Sequence, residues 1–307
     1  MTAPHRGIGW NWQVKGVPFN PYEGYGKWKS VAVQVGWAVF YYVQSIVMLV
    51  VLGWSVAMRD EIESGFWTGA GELNLEVFTF NAIIGWAGAI WVWDRLCCAY
   101  SMVAALSVAI GMYDTWEWPP LMGSIDDAWT VRQMWSAVYH QTFRRVCINP
   151  MTPTCRHSFT DELQMLSQPA TRIARLLGLR KGGFASRYTQ LYLTFALSCF
   201  VHQFQMFNVT RKDMGEFAFF MSQPVAMTVE DFVQWIWRKA RGGSSQDWER
   251  FEKAVGAMWT MIWFSFSLHL YIRGLVEAEV IRDWLMGYDP LVVGASLSPH
   301  ILEGLKT

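Results

Sequence analysis

Charge is scarce in this chain. Only 16% of its 307 residues are Asp, Glu, Lys or Arg, against about 25% in an ordinary soluble domain. The 25 basic and 25 acidic residues cancel, so no global excess of either sign invites nucleic acid. Cysteine is sparse as well. Cys97, Cys98, Cys147, Cys155 and Cys199 form an odd set with no CxxC pair, which supports neither a disulfide framework nor a zinc knuckle. The Walker, GxGxxG, GxSxG and HExxH patterns are missing, so nucleotide-loop, dinucleotide, nucleophile-elbow and zincin chemistry find no anchor. Internal repeats, low-complexity tracts and a soluble domain are missing too. The polar stretch Met1–Lys29 has no apolar core and is no signal peptide. That leaves the first spanning helix as the expected targeting signal.

What the chain has instead is apolar length. Hydrophobic residues make up 52% of it, with 19 Trp and 19 Phe, and Trp concentrates where a ring can lie at a membrane interface. Ser30–Met58 is free of charge and bracketed by Lys27, Lys29 and Arg59, more than the roughly 20 residues a bilayer span needs. Val77–Tyr113 is broken only by Asp94-Arg95. As one helix it measures roughly 55 Å, against a hydrocarbon core of about 30 Å. Either one tilted helix or two helices meeting at Asp94 satisfies that length.

Charge asymmetry favours one crossing. Asp114–Tyr188 is rich in Lys and Arg, and the N-terminal segment is basic, while the loop after the first span has Arg59 alone. Basic loops face the cytosol, so Val77–Tyr113 is expected to cross an odd number of times. Tyr188–Asn208, Phe217–Trp237 and Ala254–Ile272 supply further spans. The expected fold is all-α, a polytopic integral membrane protein of five to six transmembrane helices with interfacial amphipathic helices. One amphipathic helix is predicted to start at Ser124 in a capping box with Asp127, with Val131, Met134, Trp135, Val138 and Thr142 on one face. A second is predicted from Pro169 to Gly182-Gly183, with Ile173, Leu176 and Leu177 on its apolar side and Arg172, Arg175, Arg180 and Lys181 around it, lying in the headgroup layer.

Polar residues inside spans mark function or helix–helix contact. Thr194, Ser198, His202 and Gln205 recur at i, i+4, i+8 and i+11, on one helix face. His202 is the one ring of that stripe able to exchange a proton near neutral pH, and so a candidate general base. Spacing alone leaves it equally readable as a packing histidine. Taken singly, His140 reads as interfacial and His269 as a core residue. Asp126-Asp127 suggests the magnesium–diphosphate site of a terpene cyclase, yet no third acid follows at helical spacing and a capping role fits better. Arg144, Arg145, Arg172, Arg175, Arg180 and Lys181 suit either the phosphates of a nucleotide-bearing cofactor or an ordinary positive-inside signal. No metal site is expected.

Six segments carry a resemblance. Arg6–Pro18 (RGIGWNWQVKGVP), Trp118–Trp129 (WPPLMGSIDDAW), Arg132–Arg145 (RQMWSAVYHQTFRR), Arg187–Gln203, Phe219–Gln234 and Met258–Val276 resemble, in order and spacing, the wax synthase domain of the membrane-bound O-acyltransferases. They look most like its fungal members, which acetylate terpenoid and meroterpenoid hydroxyls from acetyl-CoA. The resemblance implies one membrane-embedded domain over residues 1–307, an acyltransferase-like helical bundle in the endoplasmic reticulum. It implies acetyl-CoA or another acyl-CoA as co-substrate without a tightly bound cofactor. The partners would be the lipid bilayer and a hydrophobic alcohol, and no nucleic acid. It gives the base role to His202, which fills the His of a Ser-Gly-x-x-His pattern with Cys199 for the Gly. His140 becomes the polar residue after Trp135-Ser136-Ala137-Val138-Tyr139, helping to position the donor or stabilise the oxyanion. Arg144 and Arg145 fall to the donor's phosphates. Relatives have one or two spans before the Arg-Gly-x-Gly-Trp motif, so N-terminal helices are expected to be missing here. An integral-membrane terpene cyclase and an inactive membrane scaffold remain the rival readings.

Overall fold

The computed structural model describes residues 19–61, 75–139, 164–180, 182–241, 246–282 and 289–297. Among them there is no strand, as expected of an all-α membrane protein. The longest helices are α1 (Lys27–Glu61) and α2 (Leu75–Ala109), each 35 residues. After two short 3₁₀ turns come α3 (Val131–Gln133), a π-helical turn (Met134–Tyr139) and α4 (Gln164–Leu176). Then α5 (Phe184–Thr210), α6 (Glu216–Arg241), α7 (Gln246–Glu277) and a short α8 (Pro290–Ser296) follow.

The apolar blocks of the sequence have become helices. α1, α2 and α7 are each long and apolar enough to cross a membrane, and α5 and α6 have the length of a span. Their outer faces carry large apolar residues in the open, such as Phe40 and Val43 on α1, Phe200, Phe204 and Phe207 on α5, and Phe232 and Val233 on α6. Water would not tolerate so much contiguous apolar surface on a single chain. These faces suit lipid, and the chain is an integral membrane protein.

α2 runs unbroken through Asp94-Arg95, as the single-crossing reading requires. No Gly or Pro stands there to turn the chain. The pair is accommodated by its neighbours: Asp94 is buried, and the Arg95 guanidinium lies 5.0 Å from the Tyr42 ring and 5.6 Å from that of Trp91. Aromatic faces attract a guanidinium most strongly where water is excluded.

The region from 114 to 183 departs from expectation. Ser124 does cap, but it caps a single 3₁₀ turn, Ile125–Asp127, by accepting from Asp126 N. The helix begins later, at Val131, because Thr130 supplies its own cap: its Oγ1 accepts from Gln133 N at 3.0 Å. The continuation is π-helical over Met134–Tyr139, so the α-helical spacing that put Val131, Met134, Trp135 and Val138 on one face does not apply there. Thr142 itself lies outside the described residues. α4 starts ahead of Pro169, which it takes at the loss of one backbone bond, and it stops before Gly182-Gly183. Its end is fixed by Gly178 in the left-handed region (φ 69°). Leu179 N bonds Ala174 O and Gly178 N bonds Arg175 O, the paired bonds of a Schellman close. Ala170 and Ala174 of α4 are buried, while Leu176 and Leu177 are exposed. The apolar side of α4 therefore points away from the protein, as a helix resting in a headgroup layer requires.

The chain divides into two compact units. One comprises Met1–Val31, Leu106–His202 and Phe220–Thr260; the other comprises Ala32–Ala105, Gln203–Phe219 and Met261–Thr307. The second centres on Leu49 and Leu52 of α1, Ile84 and Ala87 of α2, and Ile272 and Leu275 of α7. In lipid such contacts stabilise through close packing rather than escape from water. This unit also carries an apolar groove of about 420 Å³ lined by residues including Met48, Val51, Ile83, Trp86 and Ser265, where Trp86 Nε1 donates to Ser265 Oγ at 2.8 Å.

Candidate functional site

The site is built in the first unit, around His202. On α5 the buried residues Phe195, Cys199 and Met206 fall at i, i+4 and i+11, and His202 at i+7 lies on the same side of the helix, at the edge of their arc. The polar stripe predicted for this helix is only partly kept. Thr194 is buried and Ser198 half-buried, but Gln205 is exposed. Three residues along a helix turn the direction by about 60° short of a full circle, which sets Gln205 beyond His202 and outside the buried arc.

The His202 ring is half-buried and lies on the ring of Phe220, with centroids 4.5 Å apart and planes 15° apart. Phe220 belongs to α6, which runs antiparallel to α5: Tyr188 meets Asp231, Tyr192 meets Thr228, and His202 meets Phe220.

The third wall is the π-helical turn. Trp135 projects from it and packs on Phe195 of α5 at 5.9 Å and on Phe220 of α6 at 6.4 Å. Its Nε1 donates to Gln223 Oε1 at 3.2 Å. Tyr139, last residue of the turn, packs edge-on against Trp135 at 6.0 Å. π-turns recur at functional sites, and here the neighbours that hold one are visible. Gly123 N donates to Val138 O at 3.0 Å, and a Cβ on Gly123 would run into the Ala137 carbonyl oxygen. Only glycine lets the Trp118–Gly123 loop come this close, and that loop is itself pinned by buried Trp118, Leu121 and Met122.

The start of α3 is tied to α6 by acids. Glu230 Oε2 accepts from Val131 N at 3.1 Å, a buried bond. Asp231 Oδ2 accepts from Arg132 at 2.8 Å and from the Tyr188 hydroxyl at 2.8 Å, so one carboxylate joins α3, α5 and α6. Arg132 and Asp231 are partly exposed, and their ion pair alone contributes about 0–1 kcal/mol. The buried Glu230 bond matters more, because it satisfies an orphan N–H at a helix start. On the other side, Gly256 of α7 brings its backbone against the Trp129 carbonyl.

Of the residues singled out from sequence, the structure sets His202 beside the Trp135–Tyr139 turn through Phe220. His140, Arg144, Arg145 and Lys181 lie outside the described residues. Arg172, Arg175 and Arg180 are exposed on α4 and just beyond it. Asp126 and Asp127 are exposed, and Asp126 is engaged by Ser124, whose hydroxyl donates to Oδ2 at 3.2 Å; the cap is made with Asp126 rather than as the expected box with Asp127. His269 is buried in the second unit. Gln223, Glu230 and Asp231 carry much of the site's framework and were given no role from sequence. The signal was there: polar residues standing inside an apolar span, on α6 as on α5.

The comparisons fit this geometry. Residues 118–222 match the model of the membrane bound O-acyl transferase family, a segment that holds the Gly123 loop, the π-turn, His202 and Phe220. The chain is 30% identical to the acetyltransferase aurG of Calcarisporium arbuscula over 59% of this chain and 40% of that protein. It is 27% identical to the acetyltransferase ple2 of Rhodocybe pseudopiperita over 91% of this chain and 66% of that one. To the O-Mevalon transferase macI of Penicillium terrestre it is 26% identical over 89% and 60%. The chain thus spans 40–66% of the length of these relatives. No solved structure matches it. Over residues 118–222 the chain is therefore similar to the membrane bound O-acyl transferase family, and along most of its length to fungal acetyltransferases.

Proposed function

We propose that this chain is a membrane-bound O-acyltransferase that moves an acetyl group from acetyl-CoA to the hydroxyl of a hydrophobic alcohol of terpenoid type, in the endoplasmic reticulum membrane. The observation that carries the reading is the setting of His202: the edge of a buried helix arc, its ring seated on Phe220, within the segment that matches the family. A half-buried imidazole seated by one face on an aromatic ring is a group suited to take the proton of a substrate hydroxyl.

His202 takes the hydroxyl proton as the oxygen attacks the thioester carbonyl. The new C–O bond forms, the C–S bond breaks, and the proton leaves with the CoA thiolate as the free thiol. His140, next in sequence after the π-turn, serves to position the donor or to stabilise the developing oxyanion. Arg144 and Arg145 then suit the donor's phosphates. The apolar outer faces of the helices let a hydrophobic alcohol arrive through the bilayer. A thioester is already activated, so the chemistry asks for no further cofactor.

Microsomes holding the protein, supplied with labelled acetyl-CoA and a panel of terpenoid alcohols, test this directly. Transfer by the wild type and its loss in His202→Ala support the base; undiminished transfer in that variant removes it. Loss in His202→Ala with retention in His140→Ala demotes His140 to a structural role.

A further inference from the structure

We propose that Gln223 is a positioning residue of the reaction: through its bond to the Trp135 indole it holds Phe220, and thereby the His202 ring, in place. The inference rests on the acyltransferase reading above and adds a residue to it.

Gln223 is fully buried on the α6 face that meets Trp135. An amide in such a place is a poor space filler, since each of its polar atoms needs a partner. Its Oε1 accepts from Trp135 Nε1 at 3.2 Å, and its Nε2 donates toward Ser222 Oγ at 3.4 Å. The amide is thus oriented, and so is the indole that donates to it. The indole in turn contacts Phe220 at 6.4 Å and Phe195 at 5.9 Å between ring centroids. Phe220 is the surface on which His202 rests. Phe220 and Gln223 stand three residues apart on α6, and Phe195 and His202 seven apart on α5, so each pair shares a helix face. Trp135 is therefore wedged between two faces that both lead to His202.

The backbone gives a reason why such a brace is needed. Pro224 sits inside α6 and has no N–H to offer the carbonyl of Phe220, the residue four before it. The helix ladder is weakest at the residue that carries the His202 ring. A side-chain bond one residue from the proline, to an indole pressed on Phe220, supplies the fixation that the ladder does not.

Two variants separate positioning from bulk. Gln223→Met keeps length and volume and loses the acceptor; Gln223→Glu keeps an acceptor oxygen at the same reach. With the wild type active and His202→Ala inactive, Gln223→Met is expected to lower kcat by about 10–100-fold, the scale of a misplaced catalytic group. The KM for acetyl-CoA stays within about threefold, because ground-state binding is untouched. The limb of the pH–rate profile that depends on His202 should shift, while Gln223→Glu recovers most of kcat. Trp135→Phe removes the same bond from the other side and should reproduce the loss, which keeps the test open if Gln223→Met fails to fold. Wild-type kcat and pH profile in Gln223→Met, or equal impairment of the Met and Glu variants, overturns the proposal. Full activity in His202→Ala instead overturns the reading on which it rests.

Discussion

The imidazole of His202 lies almost parallel to the ring of Phe220, 15° between planes and 4.5 Å between centroids. A stacked pair of this kind fixes the plane of the imidazole. Phe220→Leu keeps the site apolar and removes the flat face. Its expected effect is at least a tenfold drop in acyl transfer, with a stability loss of about 1–1.5 kcal/mol or less from the near volume-conserving change. Turnover in microsomes and thermal unfolding in detergent read the two separately.

Gly123→Ala places a methyl against the Ala137 carbonyl and pushes apart the Gly123–Val138 bond. Overpacking of this kind costs about 1–3 kcal/mol. The melting temperature of the purified protein is expected to fall. Gly36→Ala is the control: nothing lies within 4 Å of a Cβ there, and in the middle of α1 alanine is the better helix former by up to about 1 kcal/mol. A melting temperature equal in both variants would contradict the packing described for the Gly123 loop.

Glu230→Gln retains an oxygen for Val131 N and is expected to change thermal stability by less than about 1 kcal/mol. Glu230→Leu leaves that buried N–H unsatisfied, at about 1–3 kcal/mol. Ranking the two variants by thermal unfolding checks it; a leucine variant as stable as the glutamine variant would show that the bond contributes little.

Asp213, between α5 and α6, supplies the pH dependence. Burial works against its charge, but hydrogen bonds from Glu216, the Phe217 and Gly215 backbone and Gln203 outweigh it and hold the carboxyl below its usual 3.8. A carboxyl depressed by folding contributes stability that is present above the unfolded value and disappears as pH falls through the folded one. Asp213→Asn should therefore be less stable than wild type at neutral pH, with the gap closing as the pH is taken below about 4. Melting temperatures of both proteins across that range measure it; a constant gap would rule out this linkage.

The long helices were readable because their causes are local: uninterrupted apolar runs between charges, and no Gly or Pro at Asp94-Arg95. His202 was readable for a similar reason, as a polar ring in an apolar run. The stretch around Trp135 was not. Its turn is fixed by Glu230, 99 residues from Val131, and by Gly123 meeting Val138, neither of which leaves a periodic trace. Ser124 and Thr130 both look like helix starts, and the choice of Thr130 goes with the acid on α6 that receives the next residue's N–H. Gln223 and Glu230 were visible in principle, since the rule that picked out His202 applies equally to α6.

The unbroken course of α2 has a consequence for depth. From Leu75 to Asp94 the helix climbs roughly 29 Å at 1.5 Å per residue, about one hydrocarbon thickness. A crossing that began at Leu75 and ran upright would bring Asp94 and Arg95 to its far end, and any tilt draws the pair inward, where its burial against Tyr42 and Trp91 takes the place of water. The remaining turns, with Met102, Val103 and Leu106 apolar and exposed, then call for a tilted course that keeps them against lipid rather than water.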